Sequence, residues 1–187
     1  MSSAAHDVYY SYSEYVAFER GSNVKHEFLH GRIYGMAGGT PEHSKLAATV
    51  TGLLFPQLRG SKCSAYDSDL RVRTATGLTT YPDVTIICGT PARDAEDPLA
   101  ITNPTLIVEV VSPSTERYDR GAKFEHYKSL ASLQRYVLIA QERRSIEVRS
   151  RSEDGSWTVT VAGDGEVVEL LPTARLDVGE LYDAAAE

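Results

Sequence analysis

A single glutamate interrupts the most apolar segment of the chain and limits the folds that the sequence can adopt. Residues 106–111 read Leu-Ile-Val-Glu-Val-Val, and the β-branched side chains around Glu109 predict a buried strand. A charged side chain inside such a strand is costly to bury unless it is paired or bound to a metal ion. The fold must therefore bring a partner to Glu109, and this break in the local pattern indicates a functional site.

A second acid, Asp83, stands in another strand-like segment, residues 79–88. If the two segments are neighbouring strands, the carboxylates of Asp83 and Glu109 lie side by side and repel each other. A hard cation relieves this repulsion, and oxygen ligands with an incomplete shell suit Mg²⁺ or Mn²⁺. Such an ion polarises a phosphoryl oxygen and generates a nucleophile. Structural roles stay open for both acids, a strand-end turn for Asp83 and an ion pair at a sheet edge for Glu109.

The remaining pattern predicts one α+β domain over residues 1–187, with a mixed central β-sheet flanked by helices. Helices are predicted over residues 11–20 (with Ser13 as N-cap), 41–58, 119–130 and 178–186. Strands are predicted over residues 69–75, 79–88, 105–111, 135–140, 145–150, 156–161 and 165–171, with a further hairpin around His30-Gly31. Residues 89–104 predict a functional loop or a short extra turn.

The composition is that of an ordinary globular protein and excludes several classes. Hydrophobic residues make up 42% and charged residues 24%, which argues against disorder. No apolar run approaches the ~20 residues of a membrane helix, and the first residues lack the features of a secretory signal, so we expect no membrane partner. The two cysteines, Cys63 and Cys88, cannot form a disulfide framework, which predicts reduced thiols and a cytoplasmic protein.

The charge is unevenly distributed. The net charge of −7 is a poor signal for nucleic-acid binding, yet residues 116–151 hold nine Lys or Arg against five Asp or Glu. This segment, which includes Arg120, could form a basic face, although a solvated helix and hairpin would account for it equally well. Arg71 and Arg73 alternate on one predicted strand and could touch phosphates. Their alternative role is an ion pair with Asp67 or Asp69.

Residues 26–30 read His-Glu-Phe-Leu-His and match the H-E-x-x-H zinc motif. In a metalloprotease this motif lies on a helix, where both histidines meet one zinc ion and the glutamate activates water. Here the segment runs into Gly31 and a strand-like sequence, and a strand would separate Glu27 from the face of His26 and His30. A zinc hydrolase therefore remains only an alternative hypothesis.

Several motifs together resemble the Uma2 family of restriction-endonuclease-like proteins. Pro82-Asp83 and Glu109-Val110-Val111 are similar to the Pro-Asp…(Asp/Glu)-x-Lys signature of restriction-endonuclease-like nucleases. The matching stretches, between about residues 11 and 181, are 27–33 with His43, 81–84, 106–115, Asp119 with Lys123 and Tyr127, and 135–139. The resemblance implies a restriction-endonuclease-like core, Mg²⁺- or Mn²⁺-dependent hydrolysis of DNA, and a homodimer.

One position departs from the signature, because Val111 stands where its lysine belongs. A hydrophobic side chain cannot orient water or neutralise a developing charge. The resemblance suggests that the lysine has migrated to Lys123, which shares a predicted helical face with Asp119 and Tyr127. An ion pair with Asp119 is the alternative role for this lysine.

The other candidate site residues are an acid and two supporting side chains. Glu27 could join Asp83 and Glu109 as a third metal-binding acid, or it could be a solvated strand residue. His43, near the start of the second predicted helix, could bond a ligand carboxylate or simply cap the helix, and Tyr127 would support the same site.

The sequence is therefore compatible with four functions. The leading one is a metal-dependent endonuclease in which Lys123 positions the water or stabilises the transition state. The displaced lysine and the negative net charge favour a second one, a nucleic-acid-binding module whose catalysis is weak or lost. The third is the zinc hydrolase, and the fourth is a non-catalytic assembly protein.

Overall fold

Short strands and a few helices make up the described part of the chain, residues 8–186 of a computed structural model. The helices are α1 (Tyr12–Arg20), α2 (Pro41–Leu58), α3 (Glu116–Tyr118), α4 (Phe124–Tyr127) and α5 (Val178–Ala186), and a π-helical turn (Asp119–Lys123) joins α3 to α4. The strands are β1 (His26–Leu29), β2 (Arg32–Gly35), β3 (Cys63–Tyr66), β4 (Arg71–Arg73), β5 (Thr79–Thr80), β6 (Val84–Cys88), β7 (Ala100–Ile101), β8 (Leu106–Val111), β9 (Arg135–Ala140), β10 (Ser145–Arg151), β11 (Trp157–Gly163), β12 (Val167–Leu171) and β13 (Ala174–Asp177).

The central sheet has six strands in the order β11-β10-β9-β8-β6-β3. Strands β8 and β9 run parallel, and the other neighbours are antiparallel. Every residue of β8 is buried, including Glu109, and the helical segment from α3 to α4 forms the crossover from β8 to β9. This mixed sheet flanked by helices confirms the predicted α+β class.

The sheet is covered on both faces by apolar side chains. Helix α2 buries Leu46, Val50, Leu54 and Leu58, spaced four residues apart so that they share one helical face, and this face packs with α5 against one side of the sheet. On the other side a second cluster gathers around the crossover, where Phe124, Tyr127 and Tyr136 pack with Val111. The carboxyl group of Glu109 is therefore enclosed between the sheet and the crossover segment.

A second sheet, in the order β2-β1-β5-β4-β7, lies next to the central one. The sequence predicts one strand over residues 79–88, but the structure divides it into β5 in this sheet and β6 in the central sheet. Pro82 explains the break, because proline has no N–H to donate and cannot continue an interior strand. Asp83 thus stands where the chain passes from one sheet to the other.

The other differences between prediction and structure are local. The N-cap of α1 is Ser11, whose side chain accepts from the Glu14 N–H in a capping box, and not Ser13. The predicted loop at residues 89–104 contains β7, while β3 and β13 have no counterpart among the predicted elements. The hairpin at His30-Gly31 is confirmed, and both residues have positive φ, of 51° and 80°, as a tight hairpin turn requires.

The cysteines contradict the expectation of reduced thiols. Cys63 on β3 and Cys88 on β6 are direct partners in an antiparallel ladder, with Cα atoms 3.9 Å apart, and a disulfide joins them. Neighbouring strands bring opposite side chains together, which the spacing of the cysteines along the sequence does not reveal. The cytoplasmic location, inferred in part from reduced thiols, stays a prediction.

Among the described residues, none of the helices combines the length and the apolar character that crossing a membrane requires.

Candidate active site

A buried ion pair between Glu109 and Lys123 forms the centre of the site. Nζ of Lys123 lies 2.9 Å from Oε1 of Glu109, and both side chains are buried. The hydroxyl of Tyr127 donates a 2.8 Å hydrogen bond to the same carboxylate oxygen. The helical crossover thus supplies the partner that an acid inside an apolar strand needs.

The π-helical turn determines where this lysine lies. Asp119 and Lys123 bound the turn, and Oδ1 of Asp119 is 3.4 Å from Nζ of Lys123. Such turns insert an extra residue into a helix and are frequent at functional sites. The hydroxyl of Tyr136, which is buried beneath the turn, donates to the main-chain carbonyl of Asp119 at 3.0 Å. The ion pair with Asp119 and the approach to Glu109 therefore occur together.

Glu27 reaches the same lysine from the second sheet. Its Oε1 is 3.6 Å from Nζ of Lys123 and accepts a hydrogen bond from the hydroxyl of Thr80. Its Oε2 accepts from the hydroxyl of Tyr118 at 3.3 Å. The carboxylate of Glu27 is thus half-buried and faces Lys123, so it is not a solvated strand residue.

Asp83 lies at the start of β6, next to β8. The main-chain N–H of Val110 donates to its Oδ2 at 2.8 Å, and Nε2 of His43 lies 3.2 Å from the same oxygen. In the ladder Val84 pairs with Val108, so one further step in register sets Asp83 beside Glu109. His43 is in the first turn of α2, and its bond to Asp83 raises the pKa of the imidazole although burial opposes the shift.

The electrostatics of the site show an excess of negative charge. Burial raises the pKa of Glu109 to about 8, with Asp83 and Asp119 adding to the shift and Lys123 opposing it. Burial alone would lower the pKa of Lys123, but the surrounding acids, Glu109 first, outweigh it and raise that pKa well above its ordinary value. One ammonium group therefore does not neutralise the carboxyl groups around it.

This donor set fits a divalent cation held by two protein carboxylates. Mg²⁺ is usually bound through one or two carboxylates, with water and substrate phosphates completing its shell. Asp83, directly before β6, and Glu109, on β8, are hard oxygen donors beside each other, because the Val110 N–H donates to the Asp83 carboxylate. Within residues 8–186, no three His, Cys, Asp or Glu side chains are arranged to hold a metal ion together. A role for Glu27 as a third metal-binding acid stays a prediction.

The zinc hypothesis does not agree with the geometry. His26 and Glu27 lie on strand β1, and His30 is in the hairpin turn that follows it. Nδ1 of His26 lies 2.8 Å from Oε2 of Glu19, and Glu27 faces Lys123. A strand directs these side chains apart, whereas the motif requires a helix to bring them together. The His-Glu-Phe-Leu-His segment therefore forms no zinc site in the described structure.

The three arginines expected to bind nucleic acid are engaged within the protein. Arg71 is buried and pairs with Asp97 and the hydroxyl of Tyr81, which leaves its guanidinium no open face for a phosphate. Arg73 is bound to Asp94 at 2.8 Å and Glu96 at 3.0 Å. The partners are thus not the acids at residues 67 and 69 that the sequence suggested.

Arg120, in the π-helical turn, is also paired. Its Nε lies 2.9 Å from Oε1 of Glu116, and its NH1 binds Glu147 on β10. The side chain is partly exposed, but these ion pairs connect the crossover to the central sheet. A structural role accounts for its contacts, and nucleic-acid binding by Arg120 stays a prediction.

Sequence reasoning missed two residues that hold Glu27, Thr80 and Tyr118. Thr80 lies directly before the Tyr81-Pro82-Asp83 segment, and Tyr118 directly before Asp119. Their positions beside motif residues are the only signal in the sequence, since a hydroxyl group breaks no local pattern.

The chain is similar to several known proteins. The sequence model of the Uma2 family, described as "Putative restriction endonuclease", matches residues 12–179. The uncharacterized protein slr1290 of Synechocystis sp. is 38% identical over 147 residues, which cover 78% of this chain and 76% of that protein. The uncharacterized protein sll1609 of the same organism is 31% identical over 160 residues, which cover 84% and 90%.

A solved structure has the same fold. The crystal structure of "a putative nuclease belonging to DUF820" from Anabaena variabilis superposes with a TM-score of 0.72 at 14% sequence identity. The superposition covers 88% of this chain and 93% of that one. The predicted restriction-endonuclease-like core is therefore confirmed.

Proposed function

The chain belongs to the Uma2 family of putative restriction endonucleases, and from this premise we propose that it is a metal-dependent endonuclease that hydrolyses phosphodiester bonds in DNA. The observation that carries the proposal is the contact of 2.9 Å between Nζ of Lys123 and Oε1 of Glu109, beside Asp83. Through this contact, Lys123 of the crossover supplies the positive charge that the signature normally has at the position of Val111. Asp83, Glu109 and Lys123 then form the catalytic group.

The chemistry is the addition of water across a phosphorus–oxygen bond. The water oxygen attacks phosphorus, the bond to the leaving oxygen breaks, and that oxygen departs with a proton. Negative charge grows on the phosphoryl oxygens, and a fixed ammonium group stabilises it best where bulk solvent is excluded. Lys123 is suited to this task, because Glu109, Asp119 and Glu27 hold its Nζ in one place.

The proposed cofactor is Mg²⁺ or Mn²⁺, held by Asp83 and Glu109. When bound, the ion supplies a Lewis acid that polarises the phosphoryl oxygen. The protein orients the two acids for this purpose: the Val110 N–H and His43 hold Asp83, and Tyr127 holds Glu109. Glu27 is a positioning residue, because it contacts Lys123 and not the two metal-binding acids.

The competing reading, a binding module without catalysis, rested partly on the displaced lysine. Because Lys123 contacts Glu109, the missing lysine at residue 111 no longer favours a module without catalysis. The net charge of −7 alone does not exclude a nuclease. The homodimer implied by the resemblance stays a proposal, to be tested by light scattering on the purified protein.

The test is cleavage of supercoiled plasmid DNA with Mg²⁺, Mn²⁺ or EDTA. We expect cleavage with either ion, none with EDTA, and none by Asp83→Asn or Glu109→Gln. Glu147→Gln is the matched control, because Glu147 is a buried acid on β10 that forms ion pairs with Arg120 and Arg149. Circular dichroism verifies that each variant is folded. Full activity of both site variants, or salt-sensitive DNA binding without cleavage by any divalent ion, would overturn the proposal.

A further inference from the structure

A row of side chains leads from the core through Glu27 to an exposed tyrosine. In the ladder between β1 and β2, Glu27 is the direct partner of Tyr34, and direct partners lie on the same face about 5 Å apart at Cβ. On its other side Glu27 accepts the hydrogen bond from Thr80 on β5. The row therefore runs Thr80, Glu27, Tyr34, and it brings an aromatic ring next to the acid that contacts Lys123.

Tyr34 lies on an open edge of the protein. Strand β2 is the last strand of its sheet, and Tyr34 is 48% exposed although its ring is large and apolar. An exposed aromatic ring beside the candidate site offers a flat apolar surface to a molecule bound there, so its position indicates a binding role.

A second exposed tyrosine is fixed along the same edge. Tyr9 is 61% exposed, the guanidinium of Arg32 lies 5.3 Å from the centre of its ring, and NH2 of Arg32 donates to its hydroxyl at 3.3 Å. Arg32 precedes Tyr34 by two residues, so both side chains project from the same face of β2. Gly31 gives Tyr9 its space, because a Cβ there would lie 2.9 Å from Cδ1 of Tyr9. We call Tyr9, Arg32 and Tyr34 the tyrosine edge.

We propose that the tyrosine edge binds a single-stranded segment of the DNA substrate, with Tyr34 stacked on an unpaired base beside the phosphate to be cut. This inference rests on the proposed function, and it names the form of the substrate. Aromatic side chains bind single strands by stacking on successive bases, while cationic side chains follow the phosphates. Tyr34 is the part of this edge that lies beside the site, because its direct ladder partner Glu27 contacts Lys123.

The form of the substrate follows from the geometry of stacking. In a duplex, both faces of an interior base are covered by its neighbours, so a ring at the protein surface cannot reach them. An unpaired base in a single strand, a flap or a loop has a free face. Tyr34 would therefore distinguish single-stranded from double-stranded DNA.

The test measures binding separately from cleavage, by fluorescence anisotropy with a labelled 15-nucleotide single strand and its duplex, both in EDTA. Tyr34→Ala should weaken single-strand binding about tenfold or more and duplex binding less than twofold. Tyr34→Trp should restore single-strand binding, because it keeps a stacking surface. Phe55→Ala is the matched control, since Phe55 is a 61% exposed aromatic residue on α2, more than three helical turns beyond His43.

Three results would overturn the inference: unchanged single-strand binding by Tyr34→Ala, an equal loss for single strand and duplex, or the same loss for Phe55→Ala. Absence of binding by the unaltered protein would also overturn it. Failure of the proposed function has a different signature, namely intact DNA after incubation of the unaltered protein with Mg²⁺ or Mn²⁺.

Discussion

Oε1 of Glu109 lies 2.9 Å from Nζ of Lys123, although the two residues belong to different elements. Glu109 is on strand β8, and Lys123 is in the π-helical turn of the crossover. Both side chains are buried, so the charge on each one strongly affects the pKa of the other. Removal of Glu109 leaves the buried ammonium group of Lys123 without its nearest acid, which is costly, and removal of Lys123 raises the pKa of Glu109 further. The predictions below use this dependence.

Loss of the ammonium group should remove catalysis. Lys123→Met keeps the length of the side chain and deletes its charge, and we expect kcat to fall by about 10² or more with little change in KM for DNA. Steady-state cleavage of a short oligonucleotide measures both constants. Lys128→Met is the control, because Lys128 follows α4 and its partly exposed ammonium group contacts Glu125 and the ring of Phe124 but no acid of the site. A kcat within threefold of that of the unaltered protein would show that Lys123 has a structural role alone.

The stability of the metal-free protein should fall as the pH rises. Burial raises the pKa of Glu109 to about 8, whereas an ordinary glutamate titrates near 4.5. Between these values the folded protein keeps a proton that the unfolded chain has lost, so the free energy of unfolding decreases as the pH increases. Urea unfolding in EDTA at pH 5.5 and pH 8 measures the slope.

Glu109→Gln should flatten that dependence, because an amide does not titrate. His43, whose pKa is also raised through its bond to Asp83, contributes in the same direction near neutral pH. Because Glu109 helps to raise the pKa of His43, the difference between the two proteins reports Glu109 together with its effect on His43. Identical slopes for both would mean that Glu109 is already ionised at pH 5.5.

Divalent ions should reverse the effect of pH. Mn²⁺ binds the ionised carboxylates, so it should raise Tm more at pH 8 than at pH 6, where a proton competes with the ion for Glu109. An ion concentration 100 times Kd stabilises the folded state by about 2.7 kcal/mol. Differential scanning fluorimetry with Mn²⁺ and Ca²⁺ measures the shift, and Asp83→Asn should abolish most of it. A shift that survives in Asp83→Asn would locate the ion elsewhere.

The hydroxyl of Tyr127 should matter for activity more than for folding. Its hydrogen bond of 2.8 Å fixes the Glu109 carboxylate, and Tyr127→Phe removes only that oxygen. We expect kcat to fall about tenfold and the free energy of unfolding by about 1–2 kcal/mol. Tyr136→Phe is the paired control, because its hydroxyl bonds a main-chain carbonyl at Asp119. Equal losses of kcat in both variants would contradict a specific effect on Glu109.

The class of fold and most of the long elements could be predicted from the sequence, because the patterns that indicate them lie in neighbouring residues. The spacing of Leu46, Val50, Leu54 and Leu58 predicts the helix found at Pro41–Leu58, and the apolar run at residues 135–140 predicts β9 with its observed bounds. These segments carry their periodicity in neighbouring residues. Tertiary contacts are not needed to recognise them.

Partners across the fold were harder to predict. The division of residues 79–88 depends on which sheet each half joins, and the joining of Cys63 to Cys88 depends on the register of β3 against β6. Arg71 looked like an exposed residue of an alternating strand, but it lies between Asp97 and Tyr81. In each case the deciding contact is distant along the chain, so no local pattern reports it.

Lys123 lies in the crossover and not on a strand, so it takes no part in the hydrogen bonding of the sheet. Val111 can remain in the apolar layer of the sheet because the strand itself carries no cation. A screw motion of the crossover by the rise of one residue, about 1.5 Å, would draw the ammonium group away from its acid without breaking an inter-strand hydrogen bond. In the proposed mechanism, a movement of the crossover would therefore change the distance between Lys123 and Glu109 without changing the pairing of the strands.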